Sequence, residues 1–406
     1  MLLRNALIRP RNETETLLSL TSTDGWTDAL TSSGVTLTRD KAMGLSAFYG
    51  AVRILSNSMG KLPIHVFKET DKGKERDKKH VINRLLNIRP NPHMAAFTLR
   101  KAAMIQSLLY GCAYIALFFD NAGYPKEMYL LPSENTMVIR EASDGTRFFD
   151  VSIKGNLWQF SEDSIIELPW LTYDGRTGVG LLKSASETLS TDYASQQYAG
   201  KFYRNGARMS GLIETAATVN WTNKEKVRQQ FEEKYGGLDN AFRVGVLDLG
   251  MKYTPMGLAQ KDAQYIESRG FTVEEIARFT GVPLHKLQTG KQSYNSNEQQ
   301  GLEYVVDTLL PIVTLWEQEY AYKSFLDREL DLGYYLKFNL AAEMRGDNKA
   351  RAEFHEIMFR NGFKSINEIR ELEEDNAIAG GDEHFVTKNY WTLKQAIKGE
   401  GGDKNA

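Results

Sequence analysis

Ala102-Ala-Met-Ile-Gln-Ser-Leu-Leu-Tyr-Gly-Cys-Ala-Tyr-Ile-Ala-Leu-Phe-Phe119 carries no charge over 18 residues and lies between Arg100-Lys101 and Asp120. Its length approaches the lower limit for a membrane-spanning helix. Gln106, Ser107 and Gly111 interrupt it, however, and residues 114–119 are aromatic and strand-like. Hydrophobicity alone cannot type such a run; breakers and flanks must. The reading is a buried helix that turns at Gly111 into a buried strand, hence an α+β fold with no membrane segment.

Upstream, Leu45, Phe48, Val52, Leu55 and Met59 recur at spacings of three or four. They predict an amphipathic helix that ends near Gly60, before Pro63, followed by a strand at Ile64-His-Val-Phe67. Residues 68–80 hold six Lys/Arg and four Asp/Glu and read as a solvated turn. Arg89-Pro-Asn-Pro92 stops any helix, because proline fixes φ and lacks an N–H. Residues 1–35, rich in Thr, Ser and Asn, read as an arm.

Downstream, residues 112–168 contain short β-like runs with turn signals at 121–123 and 144–145, an antiparallel pattern. From residue 182 to 204 one long helix is expected. Thr222-Asn-Lys-Glu225 has capping-box spacing and opens a charged helix to about Tyr235. Residues 242–256 look like a hairpin turning near Leu249-Gly250, and 262–279 look helical. Leu302, Val305, Leu309, Val313, Trp316 and Tyr320 mark a long amphipathic helix, broken or kinked at Pro311. A strand at 334–338, a second capping box at Ser365-Ile-Asn-Glu368 and a Gly/Lys/Asp tail from Gly399 complete the chain.

The 406 residues carry 50 Lys+Arg against 52 Asp+Glu, a net charge of −2. At roughly 100–200 residues per domain, two or three compact units are expected. A hydrophobic share of 42% excludes global disorder. One cysteine, Cys112, rules out an internal disulfide, and with only six histidines it argues against a structural zinc site. Near-neutral charge leaves room for local basic patches but not for one dense basic surface. Arg4 and Arg9 break any signal-peptide h-region.

Nucleotide and hydrolase motifs fail at identifiable positions. A P-loop would need glycine where His285 stands and Ser or Thr where Gln292 follows Gly290-Lys291. Gly178-Val-Gly180 matches only the first half of a dinucleotide turn. His355-Glu356 lacks the second histidine at 359, and no serine sits in a Gly-x-Ser-x-Gly elbow. No catalytic, cofactor-binding or metal-ligating residue is therefore nominated, and the six tryptophans are read as core or interface aromatics.

Residues 272–287 look like a helix-turn-helix, with a recognition helix starting near Pro283; Gly290 leaves it under two turns. Beyond it, Gln288-Thr-Gly-Lys-Gln-Ser-Tyr-Asn-Ser-Asn297 is polar and carries Lys291. It reads either as a bland surface loop or as a segment in loose contact with a phosphate backbone, which would be electrostatic and blind to base sequence.

Several segments together resemble the portal proteins of tailed phages (head-to-tail connectors), of the HK-ninety-seven type. They begin with Leu45-Ser-Ala-Phe-Tyr49, Val52-Arg-Ile-Leu-Ser56, Leu62-Pro-Ile-His-Val66, Arg89-Pro-Asn-Pro92 and Tyr110-Gly-Cys-Ala-Tyr114. Gly180-Leu-Leu-Lys-Ser-Ala185 and Phe202-Tyr-Arg-Asn-Gly-Ala207 follow. The strongest set is Leu249-Gly-Met-Lys-Tyr253, Asp262-Ala-Gln-Tyr265, Glu274-Glu-Ile-Ala-Arg278, Gly281-Val-Pro283 and Tyr294-Asn-Ser-Asn-Glu-Gln-Gln300. Trp316-Glu317, Phe338-Asn-Leu340, Arg345-Gly-Asp347 and Asn367-Glu368 extend it, so the resemblance runs from about residue 34 to 382.

The resemblance implies a ring, usually a dodecamer, at one capsid vertex of the virion, assembled in the host cytoplasm, with double-stranded DNA passing through its channel. It implies docking of the terminase large subunit, contact with the major capsid protein and binding of a head-completion adaptor. It implies no catalysis, cofactor or membrane partner. By order of segments it places a wing at 36–221 and 298–343, stem helices at 222–236 and 260–282, and a clip at 237–259. A tunnel loop falls at 283–297, a helical crown at 344–390 and a flexible tail at 391–406. The expected DNA-channel residues are Lys286, Lys291, Gln292, Ser293, Tyr294, Asn295 and Asn297; Asp239, Asn240, Arg243 and Lys252 are the expected docking residues of the clip. Two other classes stay open on the residues alone: a helix-turn-helix regulator using 272–288, and an unrecognised hydrolase.

Overall fold

The computed structural model describes residues 18–19, 31–71, 73–133, 137–141, 146–153, 156–204, 211–214, 220–235, 250–255, 272–287, 297–340, 343, 348–373 and 375–385. The chain divides into two compact units, Met1–Asn339 and Leu340–Ala406. No described helix is long and apolar enough to cross a membrane.

The opening segment folds as its breakers dictate. The helix Ala96–Tyr110 ends at Gly111, whose φ of +92° is a left-handed cap that side-chain-bearing residues resist. The strand Cys112–Phe119 follows at once and is central in a three-stranded antiparallel sheet, between Pro125–Leu131 and Ile165–Pro169. Its register pairs Tyr114 with Leu131 and Ala116 with Ile165. These four side chains join Phe149, Val151 and Phe160 of a second sheet in one buried cluster. The large aliphatic and phenylalanine side chains among them each contribute on the order of 1.5–3 kcal/mol by leaving water. Burial, and secondarily the Glu167 carboxylate, push the Cys112 thiol far above its usual range, which makes it an inert core group.

The helix Ser46–Lys61 packs on Ala96–Tyr110 and buries Phe48, Val52, Leu55 and Met59, as the spacing predicts. Between and beneath them lies Arg100, 6% exposed. Its guanidinium donates to the carbonyls of Met59 (3.3 Å), Gly60 (2.7 Å) and Leu86. These carbonyls end Ser46–Lys61 and the short helix Ile82–Asn87, where a cation meets the negative end of both helix dipoles.

Several expectations need correction. Residues 68–80 are a hairpin in part, not a plain solvated turn: Ile64–Thr70 pairs with Gly73–Arg76. Register explains it, since Lys68 faces Glu75 and Glu69 faces Lys74, so the charges that suggested a turn are matched across the strands. Tyr334–Phe338 completes this sheet on the other side. His80, at the end of the same run, is half-buried with its side chain turned inward, Nε2 lying 3.1 Å from a Glu329 carboxylate oxygen that also accepts from Tyr124. Part of the arm is held: Leu18–Ser19 pairs with Met137–Glu141, and Ser32 donates its backbone N–H to the Glu187 carboxylate at 3.2 Å. The helix expected over 182–204 is two, Leu181–Ser184 and Ser186–Arg204, separated by Ala185. Trp221–Tyr235 starts one residue before Thr222, and Lys224 N–H donates to Asn220 O, so the cap lies upstream of Thr222. Of the tryptophans read as core or interface aromatics, which need no correction, Trp316 is core and Trp158 is 38% exposed.

In the second unit the capping box at Ser365 forms as expected. Ser365 Oγ accepts from Glu368 N–H at 3.2 Å, and the Glu368 carboxylate accepts from Ser365 N–H at 2.8 Å. It opens the helix Ile366–Leu372, which accompanies Asn348–Arg360.

Candidate functional site

Residues 272–280 form a helix whose inner face carries Ile276 and Thr280, each 1% exposed. Thr280 Oγ1 donates back to Ile276 O at 2.7 Å, and Gly281 takes φ +68°, which ends the helix. The Gly281 carbonyl accepts from Thr308 Oγ1 at 2.5 Å. Val282 is buried, and Leu284–Leu287 then makes a single turn. Among the described residues this turn offers too few side chains to read a major groove, and nothing in it supports the regulator reading of 272–288.

Lys286 leaves this turn with its Nζ 3.7 Å from the centroid of the Tyr304 ring, a close cation–π contact. Tyr304 is fully buried, and its hydroxyl donates to Ser58 Oγ at 3.0 Å. Leu287 lies beside Gly50, where an added Cβ would sit 3.7 Å from Leu287 Cδ2. Burial and the adjacent Lys286 charge hold His285 below its usual range, against the pull of Glu303, so Lys286 is the main cation of this turn.

On the return side the chain resumes as the helix Asn297–Glu303. Tyr304–Leu309 is a π-helix, and Leu310–Ser324 is α-helical. The break expected at Pro311 therefore occurs just upstream. Pro311 donates no hydrogen bond and its ring crowds the carbonyl one turn back, so the preceding turn widens, with Leu310 N–H donating to Val305 O. The wide turn presents Tyr304 to Lys286 and Thr308 to Gly281. Both ends of the 288–296 segment are thus anchored to the same buried surface. The sequence signalled this brace only through Pro311; Tyr304 and Thr308 carried no visible mark.

Of the expected channel residues, Lys286 is placed as described and Asn297 begins the return helix. Lys291, Gln292, Ser293, Tyr294 and Asn295 lie outside the described residues, as do Asp239, Asn240 and Arg243. Lys252 is exposed at the start of the strand Lys252–Pro255, which pairs antiparallel with Gly211–Glu214 and sets Lys252 opposite Glu214. The hairpin expected over 242–256 falls largely outside the described residues; its described strand pairs with 211–214.

Gly178 and Gly180 do not form a phosphate loop. They pack edge-on against the cap of the helix Ala96–Tyr110. A Cβ on Gly178 would collide with Gly111 O, and one on Gly180 with Leu109 O, both well under 3.0 Å.

Comparison with known proteins agrees with this architecture. A family model described as "Phage portal protein" matches residues 46–374. The portal protein of Enterobacteria phage HK97 is 28% identical over 351 residues, covering 84% of this chain and 81% of that protein. A probable portal protein of Streptomyces phage phiC31 is 27% identical over 368 residues, covering 87% and 79%. Among solved structures, an HK97 family phage portal protein from Corynebacterium diphtheriae superposes with a TM-score of 0.59 at 18% identity, over 77% of this chain and 98% of that one. A chain from the neck of a native gene transfer agent particle, computed with C12 symmetry, gives 0.57 at 22% identity, over 85% and 94%. With a family match that spans both the helix-to-strand core and the braced loop root, the chain belongs to the phage portal protein family.

Proposed function

We propose that this chain is the subunit of a portal ring at one vertex of a phage head, the passage through which double-stranded DNA is packaged and ejected. The observation that carries the reading is the family match over residues 46–374. The role is structural, and the motor that drives DNA belongs to a separate terminase. A ring of about a dozen copies is supported by the fold shared with a C12-symmetric particle neck. Terminase large subunit, head-completion adaptor and major capsid protein are the partners this role requires, with assembly in the host cytoplasm before incorporation into the virion.

In this reading, residues 36–221 with 298–343 are the wing, 222–236 and 260–282 the stem, 237–259 the clip and 344–390 the crown. The division of the chain after Asn339 supports the last boundary. Asp239, Asn240, Arg243 and Lys252 serve docking at the clip. Residues 283–297 are the tunnel loop. Its root is braced by Lys286 on Tyr304 and by Thr308 on Gly281, so the span carrying Lys291, Gln292, Ser293, Tyr294 and Asn295 can press on DNA without loosening the wall behind it. Asn297 closes the span. Contacts of this kind are electrostatic, blind to base sequence and weakened by salt.

Lys291→Glu should leave ring assembly and subunit stability within about 0.5 kcal/mol of wild type. It should impair packaging or retention of DNA, because each copy adds a repulsion around the duplex. The check is a packaging assay with assembled procapsids carrying Lys291→Glu or a deletion of 291–296. Full-length packaging and retention by both variants would remove the loop from this role.

A further inference from the structure

We propose that Leu302, Val306 and Leu310 form one side of the contact between neighbouring copies, and that Tyr198, Lys201 and Arg204 of the next copy form the other. The inference rests on the ring reading above and names the surface that closes it.

The run from Asn297 to Ser324 is apolar on two sides. Tyr304, Val305, Thr308 and Leu309 are buried within the subunit. Leu302, Val306 and Leu310, four residues apart, are 46%, 46% and 42% exposed. A helix with a second apolar stripe beyond its buried face calls for a second packed layer, and the described residues supply only one. In a ring of more than two copies each contact is head-to-tail, so the stripe cannot meet itself and needs a different surface as counterpart.

The last turns of Ser186–Arg204 have the matching chemistry. Tyr198 is 73% exposed, and Lys201 and Arg204 are exposed beside it. The stripe is flanked by exposed Glu303 and Asp307, so the rims carry opposite charge. Opposite rims fix register and exclude wrong pairings. Each patch also contains a glycine inside its helix, Gly301 and Gly200, where an added Cβ would meet nothing within 4 Å. A helical glycine weakens its helix, and nothing among the described residues demands one at either place. Close approach of a second helix would demand both.

The test uses the full chain, followed by native mass measurement and size-exclusion chromatography at fixed concentration. Val306→Asp should reduce the ring fraction by at least about tenfold, the effect of placing a charge in a packed contact, with helix content and unfolding midpoint of the subunit unchanged. Asp307→Lys exchanges one exposed charge for another, so it keeps the test independent of the folding of Val306→Asp. It should lower the ring fraction several-fold, and Lys201→Asp in the same chain should restore it. If wild type forms rings and Val306→Asp forms them equally, or Lys201→Asp fails to restore Asp307→Lys, this contact is wrong while the ring reading stands. If wild type forms no rings, the ring reading fails and the contact falls with it.

Discussion

Replacing Gly178 by alanine should destabilise the first unit by about 3 kcal/mol or more and sharply reduce soluble yield. A methyl group at this position would overlap the Gly111 carbonyl. That carbonyl cannot move aside, because it accepts from Trp170 N–H at 2.7 Å, next to the register that sets Cys112 against Pro169. Overpacking a close-packed site typically costs about 1–3 kcal/mol, and the upper end applies where the obstacle is backbone. Gly180→Ala meets Leu109 O in the same way. Gly111→Ala adds the cost of a left-handed φ, on the order of 1–2 kcal/mol. As a control, Gly175→Ala changes a glycine whose Cβ would meet open space and carries only its φ penalty. Urea unfolding midpoints compare the four. Equal stabilities of Gly178→Ala and wild type would refute the close backbone approach.

Arg100→Met should cost a further large amount, about 3–5 kcal/mol, comparable to breaking a buried charged network. The methionine fills much of the volume but leaves the Met59, Gly60 and Leu86 carbonyls without their donor. Unmade hydrogen bonds of buried groups cost about 1–3 kcal/mol each. Arg100→Lys should recover only part of the loss, since one ammonium cannot replace a planar fork aimed at three carbonyls. Burial already pulls the Arg100 pKa below its usual value, with Tyr320 opposing, yet no carboxylate pairs with it in these contacts; helix-end carbonyls hold the charge. Denaturant unfolding of the three proteins is the measurement. A loss under about 1 kcal/mol for methionine would show that solvent reaches these carbonyls.

Much of the fold was legible because its signals are local. Gly111 between an uncharged helical run and an aromatic run is a helix cap followed by a strand, and the structure has both. The spacing of Phe48, Val52, Leu55 and Met59 marks the buried face of one helix, and Ser365 with Glu368 marks the start of another. Features set by pairing across the chain were harder to read. The charges over 68–80 look like a turn until register matches Lys68 with Glu75. Gly178 and Gly180 resemble half of a nucleotide motif, but their purpose is an approach to a backbone more than sixty residues earlier. Pro311 signalled a break, yet where the helix widens depends on what Tyr304 and Thr308 touch. The root of the loop is held by partners at Ser58 and Gly281, distances in sequence that no periodicity carries.

The central claim is that copies of this chain close into a ring. Purified full-length protein, kept in reducing agent and chelator, should be imaged by negative stain and weighed by native mass spectrometry at micromolar concentration. Closed rings of about a dozen subunits with a central hole, unaffected by the reducing agent because Cys112 is buried and forms no disulfide, and unchanged by the chelator, are the predicted result. Monomers or dimers alone across that concentration range would contradict it.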